Sequence, residues 1–309
     1  MVVSISMKAT YLITGGTGLV GSRIIQKLAD RGERINILTR RTAASDIPGV
    51  TYYTWNPDEG TVDSDAFKDV HTVIHLAGAP VAQRWTAASK QAILDSRVKT
   101  TALLNSHISS LQENEKPEVF ISASAIGIYP SGNESFTENS PVATGFLSDV
   151  VQQWESGIAP LESQGLRTIR LRIGLVLARD GGMLGRLLPL FRLGLGSAVG
   201  PGTQWQSWIH IDDLAEMFLW AAEEETLSGV FNAVAPHPVT NRELSKCLAR
   251  ACRRPFWAPA VPSWGLRLVF GEMSSVILAS QKVEVERALK AGFDFTHPTL
   301  EGALRDIIQ

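Results

Sequence analysis

Four glycines within seven residues, Gly15, Gly16, Gly18 and Gly21, stand between an apolar run at 11–14 and a segment of helical periodicity at 19–28. Gly16, Gly18 and Gly21 fit the spacing G-x-G-x-x-G, while Gly15, Gly18 and Gly21 fit the wider G-x-x-G-x-x-G. Both spacings serve one purpose. Residues without Cβ let the backbone turn sharply and let an anion approach the free N–H groups of a helix N-terminus. Gly21 then allows the helix to lie close on a sheet. Because glycine turns join many strands to many helices, the surroundings decide the reading. Ile24, Ile25 and Leu28 fall on one helical face, and a second apolar run, 34–39, follows at the right distance. The segment therefore reads as a βαβ unit whose turn holds the pyrophosphate of a dinucleotide.

The same alternation continues. Further strands are expected at 51–55, 72–78, 119–122 and 168–177. Helices are expected at 63–68, 86–111, 146–163, 212–222, 241–252, 266–270, 280–289 and 300–308. The run from Thr72 to Gly78 is apolar on both faces, as a central parallel strand requires, and it ends on small residues where a cofactor has room. After residue 177 the character changes. Gly181, Gly182, Gly194, Gly196, Gly200 and Gly202 interrupt short apolar pieces, which predicts a mobile loop closing over a site, with Trp205 and Trp208 offering faces to bury. The fold class is α/β: a Rossmann-type doubly wound parallel sheet with a smaller, mostly helical C-terminal lobe. The division expected is an NADP-binding domain over 7–178 and a substrate and lid lobe over 179–309, some segments of which return to the sheet.

The chain's 44% hydrophobic and 19% charged residues suit a globular protein, and no stretch reaches the roughly 18 consecutive apolar residues of a membrane span. A formal charge of -2 gives no general attraction to nucleic acid or to anionic lipid, which leaves only a local basic patch to consider. Neither is expected as a partner. The two cysteines, Cys247 and Cys252, have no His or Cys cluster around them and read as reduced thiols, so the expected location is the cytoplasm and no metal centre is expected. The first six residues are too short and too weakly basic for a signal peptide, and Met7 is the natural start. A monomer or homodimer acting on a small molecule fits this composition.

Several phrases carry a resemblance over nearly the whole chain: His75-Leu76-Ala77-Gly78, Arg84-Trp85-Thr86, Ser96-Arg97-Val98, Ser122-Ala123-Ser124-Ala125, Trp154-Glu155, Leu171-Arg172-Ile173-Gly174, Trp208-Ile209-His210-Ile211-Asp212-Asp213 and Gly292-Phe293. With the glycine turn they resemble the extended and atypical short-chain dehydrogenase/reductases, in particular the epimerase family proteins with a C-terminal domain of unknown function. The resemblance implies nucleotide-cofactor contacts at Gly15, Thr17, Gly18, Leu19, Val20, Gly21, Thr39, Arg40, His75, Leu76, Ala77, Gly78, Arg97, Ser122 and Arg172. Of these, the His75 side chain reads as a core histidine rather than a catalyst, and Arg97 and Arg172 read equally as structural ion-pair partners. Cofactor choice follows from Thr39-Arg40-Arg41. Where NAD enzymes place an acid against the ribose 2′-hydroxyl, this chain has Arg40, a fixed cationic fork suited to a 2′-phosphate, so NADP(H) is expected.

Active members of this superfamily pair a serine with a tyrosine whose proton is made available by a lysine four residues on, because an unaided phenol has a pKa of about 10. The residues four after Tyr11, Tyr52, Tyr53 and Tyr129 are Gly15, Asn56, Pro57 and Asn133, so Tyr-x-x-x-Lys does not occur. Ser124 stands where the serine belongs, and Tyr129 follows on the same strand exit. These two are the catalytic candidates, while Glu138 and Glu155 read as surface carboxylates. A serine hydrolase is disfavoured, since no G-x-S-x-G elbow occurs. Two functions follow: an NADP(H)-dependent, nucleotide-sugar-epimerase-like oxidoreductase acting on a carbonyl or hydroxyl substrate, or an NADPH-sensing regulator without turnover.

Overall fold

In the computed structural model, which describes residues 9–41 and 45–308, seven strands run parallel: β1 Thr10–Thr14, β2 Arg34–Thr39, β3 Val50–Asn56, β4 Thr72–His75, β5 Val119–Ala125, β6 Arg167–Ile173 and β7 Gly229–Ala233. Their spatial order is β3-β2-β1-β4-β5-β6-β7, and the short strand Thr61–Val62 adds antiparallel to β3. The direction of winding reverses between β1 and β4, and ligands of doubly wound sheets lie beyond the strand ends at such a switch point. Both strands are buried along their whole length. Alternate residues separate to the two faces: Ile13 and Ile74 enter one core cluster, Leu12 and Val73 the other.

Helix α1, Leu19–Asp30, follows β1 and buries Ile24, Ile25 and Leu28. Helix α2, Ala87–Ser110, begins at a capping box in which Thr86 and Ser89 satisfy each other's backbone N–H groups. Helix α3, Phe146–Ser156, is separated at Gly157 from the short helix Ala159–Ser163, so the single helix expected over 146–163 is two. The helix Ile211–Glu223 packs on α1, tied to it by Arg23–Asp212, Lys27–Glu216 and Arg31–Glu223.

The C-terminal half corrects several expectations. The strand expected over 168–177 breaks at Gly174, where a Cβ would lie 2.4 Å from the Ser207 carbonyl oxygen; Leu175–Leu177 leaves the sheet to pair with Trp208–His210. The mobile loop expected from Gly181 is instead the helix Gly182–Arg192, whose Leu184, Leu188 and Phe191 are buried with Trp208 in a third core cluster. Trp208 has no exposed face to close over anything. In place of a helix over 280–289, Lys282–Val283 pairs with Ser135–Phe136 and only Glu286–Lys290 is helical. Strand β7 was not anticipated at all, yet it pairs with β6 along all five residues.

Candidate functional site

The glycine turn has the shape its spacing implies. Gly15 is left-handed at φ 69°, and a Cβ on it would sit 2.8 Å from the Leu76 carbonyl carbon at the end of β4. Gly21 is needed for the contact of turn and helix, because its Cβ would lie 2.4 Å from the Gly15 carbonyl oxygen. The N-terminus of α1 carries no side-chain cap and no acid in its first turn, which leaves its amides and the positive end of its dipole to an anion. Gly181 and Gly182 lie on the side chain of Leu19, and Arg186 reaches the Ala82 carbonyl, so the 181–186 segment crosses above the ends of β1 and β4. Arg40 follows β2 directly and is exposed, with no carboxylate in ion-pair reach among the described residues. The Arg97 guanidinium lies against Gly78, where a Cβ would come within 3.0 Å of its Cζ. It donates to the carbonyls of Ala79 and Ile93 and stands 5.0 Å over the Trp154 ring, again without a carboxylate. Burial pushes it down to about 10, the direction expected of a cation whose charge is not locally neutralised.

The His75 side chain is fully buried. Its Nδ1 lies 2.7 Å from the Thr14 hydroxyl, which already accepts the N–H groups of Leu76 and Ala77 and so gives its own proton to the ring. The ring proton is then on Nε2, directed at the hydroxyls of Thr100 and Thr101 on α2. Burial drives its pKa down to about 3, so His75 is a neutral strut that fixes the turn after β4, and a cofactor contact through its side chain is ruled out by geometry. Ser122 is likewise fully buried, with its hydroxyl given to the Ala123 carbonyl.

Ser124 and Arg172 are register partners on β5 and β6. Ser124 donates to Glu155 at 2.5 Å, and Arg172 holds both oxygens of that carboxylate at 2.8 Å. Arg172 also donates to the Tyr129 hydroxyl at 2.9 Å, which in turn donates to Asn232 on β7 at 2.7 Å. Glu138 accepts the Asn232 backbone N–H. Tyr129 is buried, stacked on Phe136, and burial raises its pKa. Thus Glu155 and Glu138 are not surface carboxylates, and Arg172 is the ion-pair partner of Glu155 rather than a free cofactor contact.

An open cleft of about 660 Å3 is bounded by the start of α3 and the segment 267–278. Trp85 and Phe146, edge to face at 5.0 Å, form one wall with Lys90, and Arg267, Glu272 and Leu278 form the other, Lys90 being ion-paired to Glu272. Since Leu147 rests on Gly127 just past β5, the cleft lies beyond the strand ends where substrates of such sheets are held. Elsewhere, His210, Asp212, His297 and Asp306 bring ligand-type atoms within 4.8 Å of one another. Nδ1 of His210 accepts the Asp212 N–H at 3.1 Å, so the ring proton is on Nε2 towards Asp306, and that nitrogen has no lone pair for a metal.

Comparison with known proteins agrees with this geometry. Residues 11–233 match the family model described as NAD dependent epimerase/dehydratase, and residues 261–307 match a domain of unknown function, DUF1731. The chain belongs to the NAD dependent epimerase/dehydratase family. An epimerase family protein of Staphylococcus haemolyticus is 40% identical over 96% of this chain and 98% of its own length. The chloroplastic homolog of epimerase family protein SDR39U1 from Arabidopsis thaliana is 35% identical over 97% of this chain and 87% of its own. Among solved structures, human epimerase family protein SDR39U1 with NADPH is similar at TM-score 0.86 and 31% identity, over 97% of this chain and 99% of the human one.

In this member of the epimerase/dehydratase family, helix α3, which packs against the end of β5, delivers Trp154 and Glu155 to the site. The signal for Glu155 was present in sequence as the pair Trp154-Glu155 between two apolar valines and Gly157. It was misread because its partner, Arg172, lies 17 residues away on strand β6.

Proposed function

We propose that this epimerase/dehydratase family member binds NADP(H) and transfers a hydride to or from a small carbonyl or hydroxyl substrate in the cleft beside Trp85 and Phe146. The observation that carries the reading is the set of unneutralised donors at the strand ends: the uncapped, acid-free N-terminus of α1, exposed Arg40 after β2, and Arg97 against Gly78. The human relative solved with NADPH, at 31% identity across nearly the full chain, supports it. In this reading the backbone of Gly15, Thr17, Gly18, Leu19, Val20 and Gly21 holds the pyrophosphate, Thr39 and Arg40 the 2′-phosphate, and Leu76, Ala77, Gly78 and Arg97 the rest of the dinucleotide. Bound there, the dinucleotide supplies or accepts the hydride.

Ser124 is the proton-transfer group in this reading, because its hydroxyl rests on a carboxylate. Tyr129 takes no part; both directions of its hydroxyl are occupied by Arg172 and Asn232. Both oxygens of Glu155 are held by Arg172 as well. Without a tuned acid the site forgoes about 3–5 kcal/mol of barrier lowering, and turnover is slow. The closed network also favours a second reading, an NADPH-responsive regulator without turnover.

Calorimetric titration tests the NADP(H) binding that both readings share, and turnover then separates them. NADPH is expected to bind at least about tenfold more tightly than NADH, with the preference lost in Arg40→Ala, since a charge-assisted phosphate contact contributes about 1.5–3 kcal/mol. Equal affinities in the parent remove the NADP(H) assignment. NADPH oxidation is then followed over aldehydes, ketones and nucleotide sugars, where Ser124→Ala is expected to lower the rate roughly tenfold, less than the loss of a tuned general acid would, and Tyr129→Phe to leave it within a few fold. Tight NADPH binding with no oxidation of any carbonyl selects the regulator.

A further inference from the structure

Eight of the twelve exposed large hydrophobic side chains among the described residues fall in two short stretches, 190–195 and 257–269. Leu193 is 73% exposed, Trp264 72% and Leu268 77%. The two stretches are neighbours in space. Arg254 donates to the Arg192 carbonyl, and beside the Val199–Val261 bridge the Val261 N–H donates to the Ala198 carbonyl while the Val261 carbonyl accepts from the Gly200 N–H. On the helix Ser263–Phe270 only Leu266 is buried, and Trp264, Arg267 and Leu268, spaced by three and four residues, share one outward face.

The charges carried by these stretches have one sign, and Glu272, which follows the second stretch, is already paired with Lys90. Residues 181–211 and 244–271 contain seven of the chain's 29 basic residues and none of its 31 acidic ones. All seven are exposed, and none is in an ion pair among the described residues, whereas the cations of α1 are each tied to a carboxylate. An apolar surface rimmed by unpaired cations asks for an anionic, apolar-accepting partner. A second copy of this chain fits poorly, because a two-fold contact would set these unpaired cations against each other, and Glu272 at the edge is already paired with Lys90. Nucleic acid fits poorly, because leucine and valine have no flat face on which a base can stack.

We propose that this surface, formed by the ends of the Gly182–Arg192 and Ser263–Phe270 helices and the turn at Trp257, docks the protein on an anionic lipid bilayer. Tryptophan rests at headgroup depth, leucine and valine enter the acyl boundary, and the arginines keep their heads among the phosphates while their stems lie on apolar surface. No helix among the described residues is long and apolar enough to cross a membrane; the chain lies on it. The net charge of -2 conceals this patch because the rest of the chain is acidic on balance.

The test is flotation of the full chain with vesicles of phosphatidylcholine alone, or with about one third phosphatidylglycerol. Co-flotation is expected with the anionic vesicles only, and it is expected to fall steeply as salt rises. Trp264→Ser with Leu268→Ser, and separately Lys246→Glu with Arg250→Glu, are each expected to weaken it by about tenfold or more. Unchanged urea midpoints show that these variants are folded. Several results overturn the proposal: no flotation with anionic vesicles, equal flotation on both vesicle types, or variants that float like the parent. It is equally overturned if sedimentation shows a dimer that Trp264→Ser dissociates, or if an RNA oligomer binds the patch and vesicles do not.

Discussion

At the scale of single residues, the buried polar side chains are held by partners far along the chain, and this decides both their chemistry and how well they can be read. His75 is placed by Thr14, Thr100 and Thr101. Its pKa falls from an ordinary 6.5 to about 3 because burial opposes the imidazolium and Arg97 adds repulsion. Above pH 6.5 the ring is neutral in both states and contributes no pH dependence. Between 6.5 and about 3 the unfolded chain takes up a proton that the native chain refuses, so stability is lost as pH falls, by up to about 1.4 kcal/mol per unit. His210, lowered to about 4, acts in the same direction. Urea midpoints measured from neutral pH down to about 4.5 are expected to decline less steeply in His75→Gln than in the parent. Parallel declines would mean that His75 is not the buried neutral ring described. In sequence, His75 was legible as a core histidine because it closes an apolar run. Arg172 was not legible as an ion pair, since nothing local points from β6 to Glu155 on α3.

At the scale of elements, periodicity served where burial is one-sided. It served less where burial is shared with other elements. Helix α1 shows its apolar stripe and was placed to within two residues at its end. Helix α2 was expected at 86–111, but nothing in its sequence pattern marked Thr100 and Thr101 as facing the core. Those threonines exist to meet His75, a requirement no helical pattern reveals. The 181–202 stretch was misread because glycine was taken as a sign of motion. Gly196 is instead a packing glycine, since a Cβ there would strike the Phe191 ring. With Leu184, Leu188 and Phe191 buried against Trp208, amide exchange over 184–191 is expected to be slow and to change little when NADPH is added. Exchange that is fast without the dinucleotide and slows with it would restore the lid.

At the scale of the whole molecule, the boundary expected at 178 meets a physical objection. β7, from residues 229–233, covers the outer edge of β6, and an uncovered parallel edge is an aggregation hazard. The helix Ile211–Glu223 supplies Leu214, Met217, Phe218 and Ala221 to the same core cluster as Ile13, Ile24 and Ile121, and that cluster also includes Phe293 and Phe295 near the C-terminus. Asn232 on β7 and Glu284 complete the chain of hydrogen bonds that begins at Ser124. A fragment of residues 1–178 would therefore expose one side of α1, an open sheet edge and a buried tyrosine without its acceptor. Each truncated large apolar side chain of such a core typically costs about 2–5 kcal/mol, against a total stability of about 5–15 kcal/mol for an ordinary domain, so the loss of Leu214, Met217 and Phe218 from one helix is already as large as that total. Expressed alone, residues 1–178 are expected to be insoluble or molten and to bind no NADPH, while the full chain unfolds in urea with coincident tryptophan fluorescence and circular dichroism transitions. A soluble fragment with a cooperative transition and the parent's NADPH affinity would establish instead that the first 178 residues are a domain in their own right.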